Sequence, residues 1–364
     1  MKENNPQKIV YIVPSLDAGG AERFILDLIR NLNRNLFSPT LVLFSHGGFF
    51  ETEAQKLGID LIVLRKRFKF DPINFWKLYQ TVKRLKPSIV HTQLGGDIYG
   101  RLVARLLKVP VIVSTEQNVQ VGEPYLVRCL KTWTAKFAAK IIAVSQAVKI
   151  DAKKRYGLPE TKLAVIYNGL EVAKFLTTKK PIKNDKVIFG SVGRLTRQKN
   201  YSLLLEALAE LKDYRWEFRL AGEGELQSSL EQRIKELDLS DRIKLVGLQS
   251  DVKSFLADLD VFVLPSLWEG LGIVLLEAGL VGLPVLASRV DGISEVIKDG
   301  QTGILFNSND RPDLVLKLRH ILENSTKPEL LALGKNLQSN IQTKFDIKLI
   351  AGQYQNLYLK LLDK

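Results

Sequence analysis

Apolar residues in this chain fall into short continuous runs, separated by longer stretches in which they recur at helical spacing. In the first half, strands read at Ile9–Val13, Thr40–Phe44, Leu61–Leu64, Ile89–His91, Val111–Ser114 and Ile141–Val144, with helical patterns such as Glu22–Leu32, Phe75–Leu85 and Gly100–Leu107 between them. The pattern breaks near Pro181–Asp185 and starts again, with strands at Val187–Val192, Glu217–Ala221, Ile243–Val246, Val261–Leu264 and Pro284–Ala287. Strands alternating with helices predict parallel sheets covered on both faces. The expected architecture is therefore two facing, doubly wound α/β domains, with a boundary near residues 170–182. The first covers residues 1–170 and the second 171–345. A last amphipathic helix, residues 346–364, is expected to pack back on the first domain. In such sheets ligands sit at the carboxyl ends of strands, which places the expected site in the cleft between domains.

Composition adds constraints. The chain has 364 residues, enough for two cores, and is 46% hydrophobic and 25% charged. Its single cysteine, Cys129, excludes an intrachain disulfide and fits a reducing compartment. No apolar stretch reaches the ~18 residues of a membrane span, and Ile9–Val13 is too short for a signal peptide, so a cytoplasmic location is expected. The net charge of +14 is uneven. Residues 1–180 hold 29 Lys and Arg against 14 Asp and Glu, whereas residues 181–364 hold 24 against 25. An anionic partner is expected for the first half: nucleic acid, anionic lipid or a phosphorylated substrate.

Three segments offer chemistry. Pro265-Ser-Leu-Trp-Glu-Gly-Leu-Gly-Ile-Val-Leu-Leu-Glu277 follows an apolar strand, with Gly270 and Gly272 permitting a tight turn into a helix. That helix is apolar on nearly every face and so is expected to be buried, with Glu277 in its middle and Glu269 at the turn. A buried carboxylate needs donors, and sugar or ribose hydroxyls are suitable ones. The residues alone equally allow Glu269 as a helix cap and Glu277 as the partner of a buried Arg. Val192-Gly-Arg-Leu-Thr-Arg-Gln-Lys-Asn200 places Arg194 and Lys199 where a strand ends beside a helix start, a position that favours phosphate. A solvated basic loop is the alternative. Gly19 and Gly20, and Gly222-Glu-Gly224, are turns open to a diphosphate or a base, or simply turns. Asp258-Leu-Asp260 runs into a strand and is read as incidental. His46, His91 and His320 lack zinc spacing, and no nucleophile elbow is present.

Taken in order, these segments resemble the retaining glycosyltransferases of family 4, which have the GT-B fold of two Rossmann-like domains. The resemblance spans nearly the whole chain: Gly19-Gly20-Ala-Glu, Val144-Ser145 before a helix, Asn168-Gly169, Gly193-Arg194 with Lys199, Gly222-Glu-Gly224, Glu269 to Glu277, and Asp299-Gly-Gln-Thr-Gly303. It implies that a sugar is transferred, with retained configuration, from a nucleotide-diphosphate sugar (UDP favoured) to a sugar or lipid-linked acceptor in surface polysaccharide or glycolipid synthesis. No metal and no resident cofactor are implied. Arg194 and Lys199 would bind the diphosphate and stabilise the leaving group, Glu269 would contact the transferred sugar, and these three form the implied catalytic set. Gly20, Gly193, Gly222, Gly270, Leu271, Gly272 and Glu277 would line the donor, with Glu277 on the ribose. His91, Gln117 and Asn168 would lie near the acceptor or sugar. Where many members carry a His, this chain reads Ser114-Thr-Glu-Gln-Asn118, so Gln117 can hydrogen-bond a hydroxyl but cannot relay a proton. The first domain would take the acceptor.

In that domain, Arg65-Lys-Arg-Phe-Lys-Phe70, a helix read over Tyr125–Lys140 (Arg128, Lys131, Trp133, Lys136, Phe137, Lys140) and the trio Arg101, Arg105 and Lys108 mix cations with aromatics. This suits the surface of an anionic membrane, so peripheral contact through residues 1–170 is expected. A nucleotide-sugar epimerase of similar architecture and a basic nucleic-acid-binding protein remain the alternative readings.

Overall fold

A computed structural model describes residues 5–66, 68, 71–177, 186–324, 326 and 328–363. The pattern break at Pro181–Asp185 lies outside these. The chain forms two compact units, Met1–Gly169 with Ile347–Lys364, and Leu170–Asp346.

The first unit runs β1 (Gln7–Val13), α1 (Gly20–Arg30), β2 (Phe37–Leu43), α2 (Glu51–Lys56), β3 (Asp60–Val63), α3 (Pro72–Leu85), β4 (Ile89–Gln93), α4 (Asp97–Leu106), β5 (Val111–Glu116), α5 (Tyr125–Ala135), β6 (Lys140–Ala143), α6 (Gln146–Tyr156) and β7 (Leu163–Val165). Its strands pair in parallel in the order β3-β2-β1-β4-β5-β6-β7. The order reverses between β1 and β4, where Tyr11 stands beside His91.

The second unit continues with α7 (Val172–Phe175), β8 (Val187–Val192), α8 (Tyr201–Ala209), β9 (Trp216–Ala221), α9 (Gln227–Glu236), β10 (Ile243–Gly247), α10 (Val252–Ala257), β11 (Val261–Leu264), α11 (Ile273–Leu280), β12 (Val285–Arg289), α12 (Asp291–Ser294), β13 (Ile304–Asn307), α13 (Arg311–Glu323) and α14 (Pro328–Lys344). Its order is β10-β9-β8-β11-β12-β13, again all parallel, with the reversal between β8 and β11. Each unit thus has one topological switch point, the place where doubly wound sheets leave a crevice. The helix α15 (Ile347–Leu362) belongs to the first unit. Ile347, Ile350, Ala351, Tyr354 and Tyr358 form its buried stripe, and Phe24 of α1 packs on Tyr354 at 6.0 Å between ring centres.

The structure departs from the sequence pattern in instructive places. β4 and β5 run past the apolar stretch to Gln93 and Glu116, because their polar residues are buried and find partners within the protein: Thr92 with Ser114, Gln93 with Gln117, Thr115 with His91 and Glu116 with Tyr156. β7 and β13 are short edge strands with no run long enough to announce them. The helix read to Lys140 stops at Ala135, and Lys140 opens β6. Arg101 was read as part of a surface face with Arg105 and Lys108. It is fully buried, with Nε donating to Ser114 Oγ at 2.7 Å and its guanidinium 3.5 Å from Glu116 and 3.7 Å from Asp97. Lys131 is likewise buried against Glu123 at 2.6 Å.

Candidate functional site

The second unit gathers its candidate residues around the β8/β11 switch point. Val192 ends β8, and the loop beyond it turns through Gly193 and Arg194 to Lys199 before α8. Leu264 ends β11, and the loop beyond it carries Ser266, Glu269 and Gly270 into α11. The backbone stitches the two loops: Leu267 N–H donates to Gln198 O at 2.8 Å, and Gln198 Nε2 donates to Trp268 O at 2.9 Å. Across that seam Lys199 Nζ donates to Glu269 Oε1 at 2.5 Å, and Ser266 Oγ donates to the same oxygen at 2.8 Å. Lys199 and Glu269 side chains are only 13% and 7% exposed, so the pair is poorly screened by solvent. Ser288 Oγ, from β12, donates to Ser266 O at 2.5 Å and steadies the turn from below.

Small residues shape this site. A Cβ at Gly193 would stand 2.8 Å from Tyr201 Oη and 3.0 Å from Lys199 Cε, so the lysine lies over the glycine. Gly222 has φ +134° and a Cβ there would sit 2.1 Å from Gly193 O, which ties the loop after β9 to the loop after β8. Gly272, at φ +79°, makes the left-handed entry to α11. The first turn of α12 presses on the Glu269–Gly270 backbone, where a Cβ on Gly292 would be 2.4 Å from both carbonyl oxygens. Gly193, Lys199, Gly222, Glu269, Gly270, Leu271 and Gly272 are therefore parts of one cluster of loops. Arg194 is exposed on the same loop as Lys199. Burial holds the Tyr201 hydroxyl above the usual phenol range, with Ser191 Oγ donating to it at 3.3 Å.

Glu277 corrects an expectation. It is half-buried rather than enclosed, because one face of α11, Ile273, Val274 and Glu277, is only partly covered. The helix is apolar but not covered on all sides. Asp260, set aside as incidental, accepts Ile188 N–H at 2.9 Å and clamps β8 to β11.

In the first unit, Gly20 begins α1 at the end of the loop after β1 and is exposed. Gln117 follows β5. Its Nε2 donates to Gln93 Oε1 at 2.7 Å and its Oε1 accepts from Asn168 Nδ2 at 2.7 Å, a chain of three carboxamides. Gln93 and Asn168 are 1% and 2% exposed, and at the two ends of this run Gln93 Nε2 and Asn168 Oδ1 are buried without a partner among the described residues. Buried polar atoms of this kind are uncommon and mark places where a ligand or water completes the bonding. His91, grouped with Gln117 at the sequence level, is bonded to other partners. It is 0% exposed, its Nδ1 is 2.6 Å from Tyr358 Oη, its Nε2 is 2.8 Å from Thr115 Oγ1, and Tyr358 Oη is 3.0 Å from Tyr11 Oη. Both ring nitrogens are used inside the core, so His91 anchors α15. Burial pushes its imidazole down to about 3.

Sequence reading gave no role to Ser266 or Gln198. Ser266 stands three residues before Glu269 and Gln198 next to Lys199, but no spacing rule separates such neighbours from bystanders. Among the described residues no cluster of His, Cys, Asp or Glu is arranged to hold a metal ion, and no helix is long and apolar enough to cross a membrane.

The fold has counterparts among known proteins. Two family models match in tandem: Glycosyltransferase Family 4 over residues 18–174 and Glycosyl transferases group 1 over residues 173–339. An Escherichia coli UDP-Gal:alpha-D-GlcNAc-diphosphoundecaprenol alpha-1,3-galactosyltransferase is 29% identical over 306 residues, 78% of each chain. A Staphylococcus aureus capsular polysaccharide biosynthesis glycosyltransferase, CapM, is 25% identical over 293 residues, 75% of this chain and 77% of that one. Among solved structures, Anabaena HepE in complex with UDP and glucose superposes with TM-score 0.88 at 22% identity, covering 97% of this chain and all of the other, which establishes a shared fold. With its tandem match running through both units, the chain belongs to the family 4, group 1 glycosyltransferases of GT-B fold and is a glycosyltransferase.

Proposed function

We propose that the chain transfers a sugar, with retention of anomeric configuration and without a metal, from a UDP-sugar to a sugar or lipid-linked acceptor in surface polysaccharide or glycolipid synthesis. The observation that carries this reading is the Lys199–Glu269 contact across the β8/β11 switch point. A cation held there meets a donor diphosphate at a strand's carboxyl end, and a carboxylate beside it meets the hydroxyls of the sugar being transferred. On this reading Arg194 and Lys199 stabilise charge on the departing diphosphate. Glu269 orients the sugar, Glu277 accepts from the ribose hydroxyls, and the glycines of the two loops let the backbone approach the donor. Gln117 and Asn168 serve the sugar or acceptor. The first unit takes the acceptor at an anionic membrane surface, on the cytoplasmic side. UDP complexes of the fold relative and the diphosphoundecaprenol acceptor in the name of the Escherichia coli relative support UDP and a lipid carrier.

Thermal-shift titration with UDP, GDP and ADP tests the donor site, since a ligand that binds only the folded state raises stability by about 2.7 kcal/mol at a hundred times its Kd. UDP is expected to give the largest shift. No response to any nucleotide sinks the donor assignment. NMR of the product's anomeric centre tests retention: inversion contradicts it.

A further inference from the structure

The segment from residue 65 to residue 150 contains 16 Lys and Arg and only four carboxylates. The structure draws all four inward. Asp71 caps α3, accepting Asn74 N–H at 2.9 Å. Asp97 accepts from Thr92 Oγ1 at 2.8 Å and lies beside Arg101. Glu116 is enclosed by Arg101, Arg155 and Tyr156. Glu123 pairs with Lys131, its side chain 10% exposed. What this segment presents outward is therefore cationic, with no exposed carboxylate among the described residues.

The same layer exposes apolar side chains in ordered rows. On α5, Leu126, Leu130 and Trp133 are 75%, 41% and 50% exposed at i, i+4 and i+7, one face of the helix. Lys136, three residues after Trp133, borders that face, and Arg128, over the Tyr125 ring at 5.7 Å, is exposed farther round the helix. On α3, Ile73 and Trp76, at i and i+3, are 63% and 60% exposed. Helices α3 and α5 pack on either side of α4, in one layer over the sheet. Both follow the carboxyl ends of their preceding strands, so the first turn of α3 and that of α5 lie towards the same edge of the sheet. Single exposed apolar residues are ordinary, but two such rows on a face that exposes cations and no carboxylate are not.

We propose that this face, centred on α5 with the first turn of α3 beside it, is the surface by which the protein docks on an anionic lipid bilayer. The rows enter the acyl boundary while Arg128 and Lys136 reach the headgroup phosphates. A nucleic acid fits less well, because phosphodiester binding has no use for exposed leucine and isoleucine side chains. The inference rests on the membrane contact proposed above and names the residues that make it.

The test uses the full chain and flotation with vesicles of phosphatidylcholine alone or mixed with phosphatidylglycerol. Cys129, exposed on α5 and the sole cysteine, takes an environment-sensitive dye. The chain is expected to float with the mixed vesicles, with a blue shift of the dye. Reversing Arg128→Glu and Lys136→Glu together is expected to weaken that binding about tenfold or more, since each basic residue near such a surface contributes about fivefold. Combining Leu126→Ser, Leu130→Ser and Trp133→Ser is expected to abolish the blue shift while leaving the UDP thermal shift unchanged. Vesicle binding that ignores both sets of changes overturns the proposal. So does oligonucleotide binding without vesicle binding, or a concentration-dependent dimer that the serine variant dissolves. A chain that responds to UDP but not to vesicles overturns this face alone. Docking through these residues with no nucleotide response keeps the face and overturns the donor reading.

Discussion

Lys199 and Glu269, seventy positions apart in sequence, meet at 2.5 Å across the two loops that flank the switch point of the second sheet. Ser266 Oγ donates to the same carboxylate oxygen, so Glu269 keeps a partner when the lysine is removed. Removing the lysine should therefore damage donor binding more than folding. Lys199→Ala is expected to lose about 2 kcal/mol of UDP affinity, roughly thirtyfold, with a small change in melting temperature. Glu269→Gln, which retains the Ser266 contact, is expected to bind UDP but to lower kcat. Calorimetric titration and initial rates separate these effects. Undiminished UDP affinity in Lys199→Ala would remove the lysine from the donor site.

Glu277 stands on the partly covered face of α11, where a ligand can reach it. If it holds the ribose, the wild type should discriminate against 2′-deoxy-UDP, and Glu277→Ala should bind UDP and its deoxy form alike. The expected loss for UDP is about 2 kcal/mol, that of a hydrogen bond to a charged group. Equal discrimination in both proteins would place the ribose elsewhere.

The carboxamide chain Gln93–Gln117–Asn168 predicts a different split. Gln117→Ala leaves two buried amides each short of a partner and should cost about 1–3 kcal/mol of stability. With a sugar or acceptor role, kcat should fall at least tenfold while the UDP thermal shift stays constant. Parallel losses in kcat and UDP affinity would move Gln117 into the nucleotide site. Gln117→His, which restores the residue common in family 4, tests whether the carboxamide sets sugar preference.

His91 supplies a pH signature. Burial lowers its folded pKa to about 3, against an ordinary value of 6.5. Between these limits the unfolded chain binds a proton that the folded chain refuses. Stability from this group is therefore full above pH ~6.5 and is lost as pH falls towards ~3, at up to about 1.4 kcal/mol per pH unit. Urea midpoints of wild type and His91→Gln, measured from pH 7 to pH 5, should converge on acidification. A constant difference would mean that the imidazole is not the group being titrated.

The local code was sufficient for much of this protein. Apolar runs such as Val187–Val192 and Val261–Leu264 coincide with β8 and β11, because a strand covered on both faces must be apolar throughout. The turn Glu269–Gly272 and the loop Gly193–Lys199 were legible as strand-end loops leading into helices, because glycine and charge interrupt an apolar run there. Tertiary structure decided what depends on partners remote in sequence. Thr115 and Glu116 extend β5 although polar, since Tyr354, Arg101 and Arg155 satisfy them out of water. Arg101 became a core residue and not a surface cation because two buried carboxylates outweigh its lost hydration. His91 became an anchor for α15 once Tyr358 arrived from 267 residues away. The pairing of Lys199 with Glu269 follows the same logic: the sequence carries both charges, but only the β8-to-β11 adjacency brings them together.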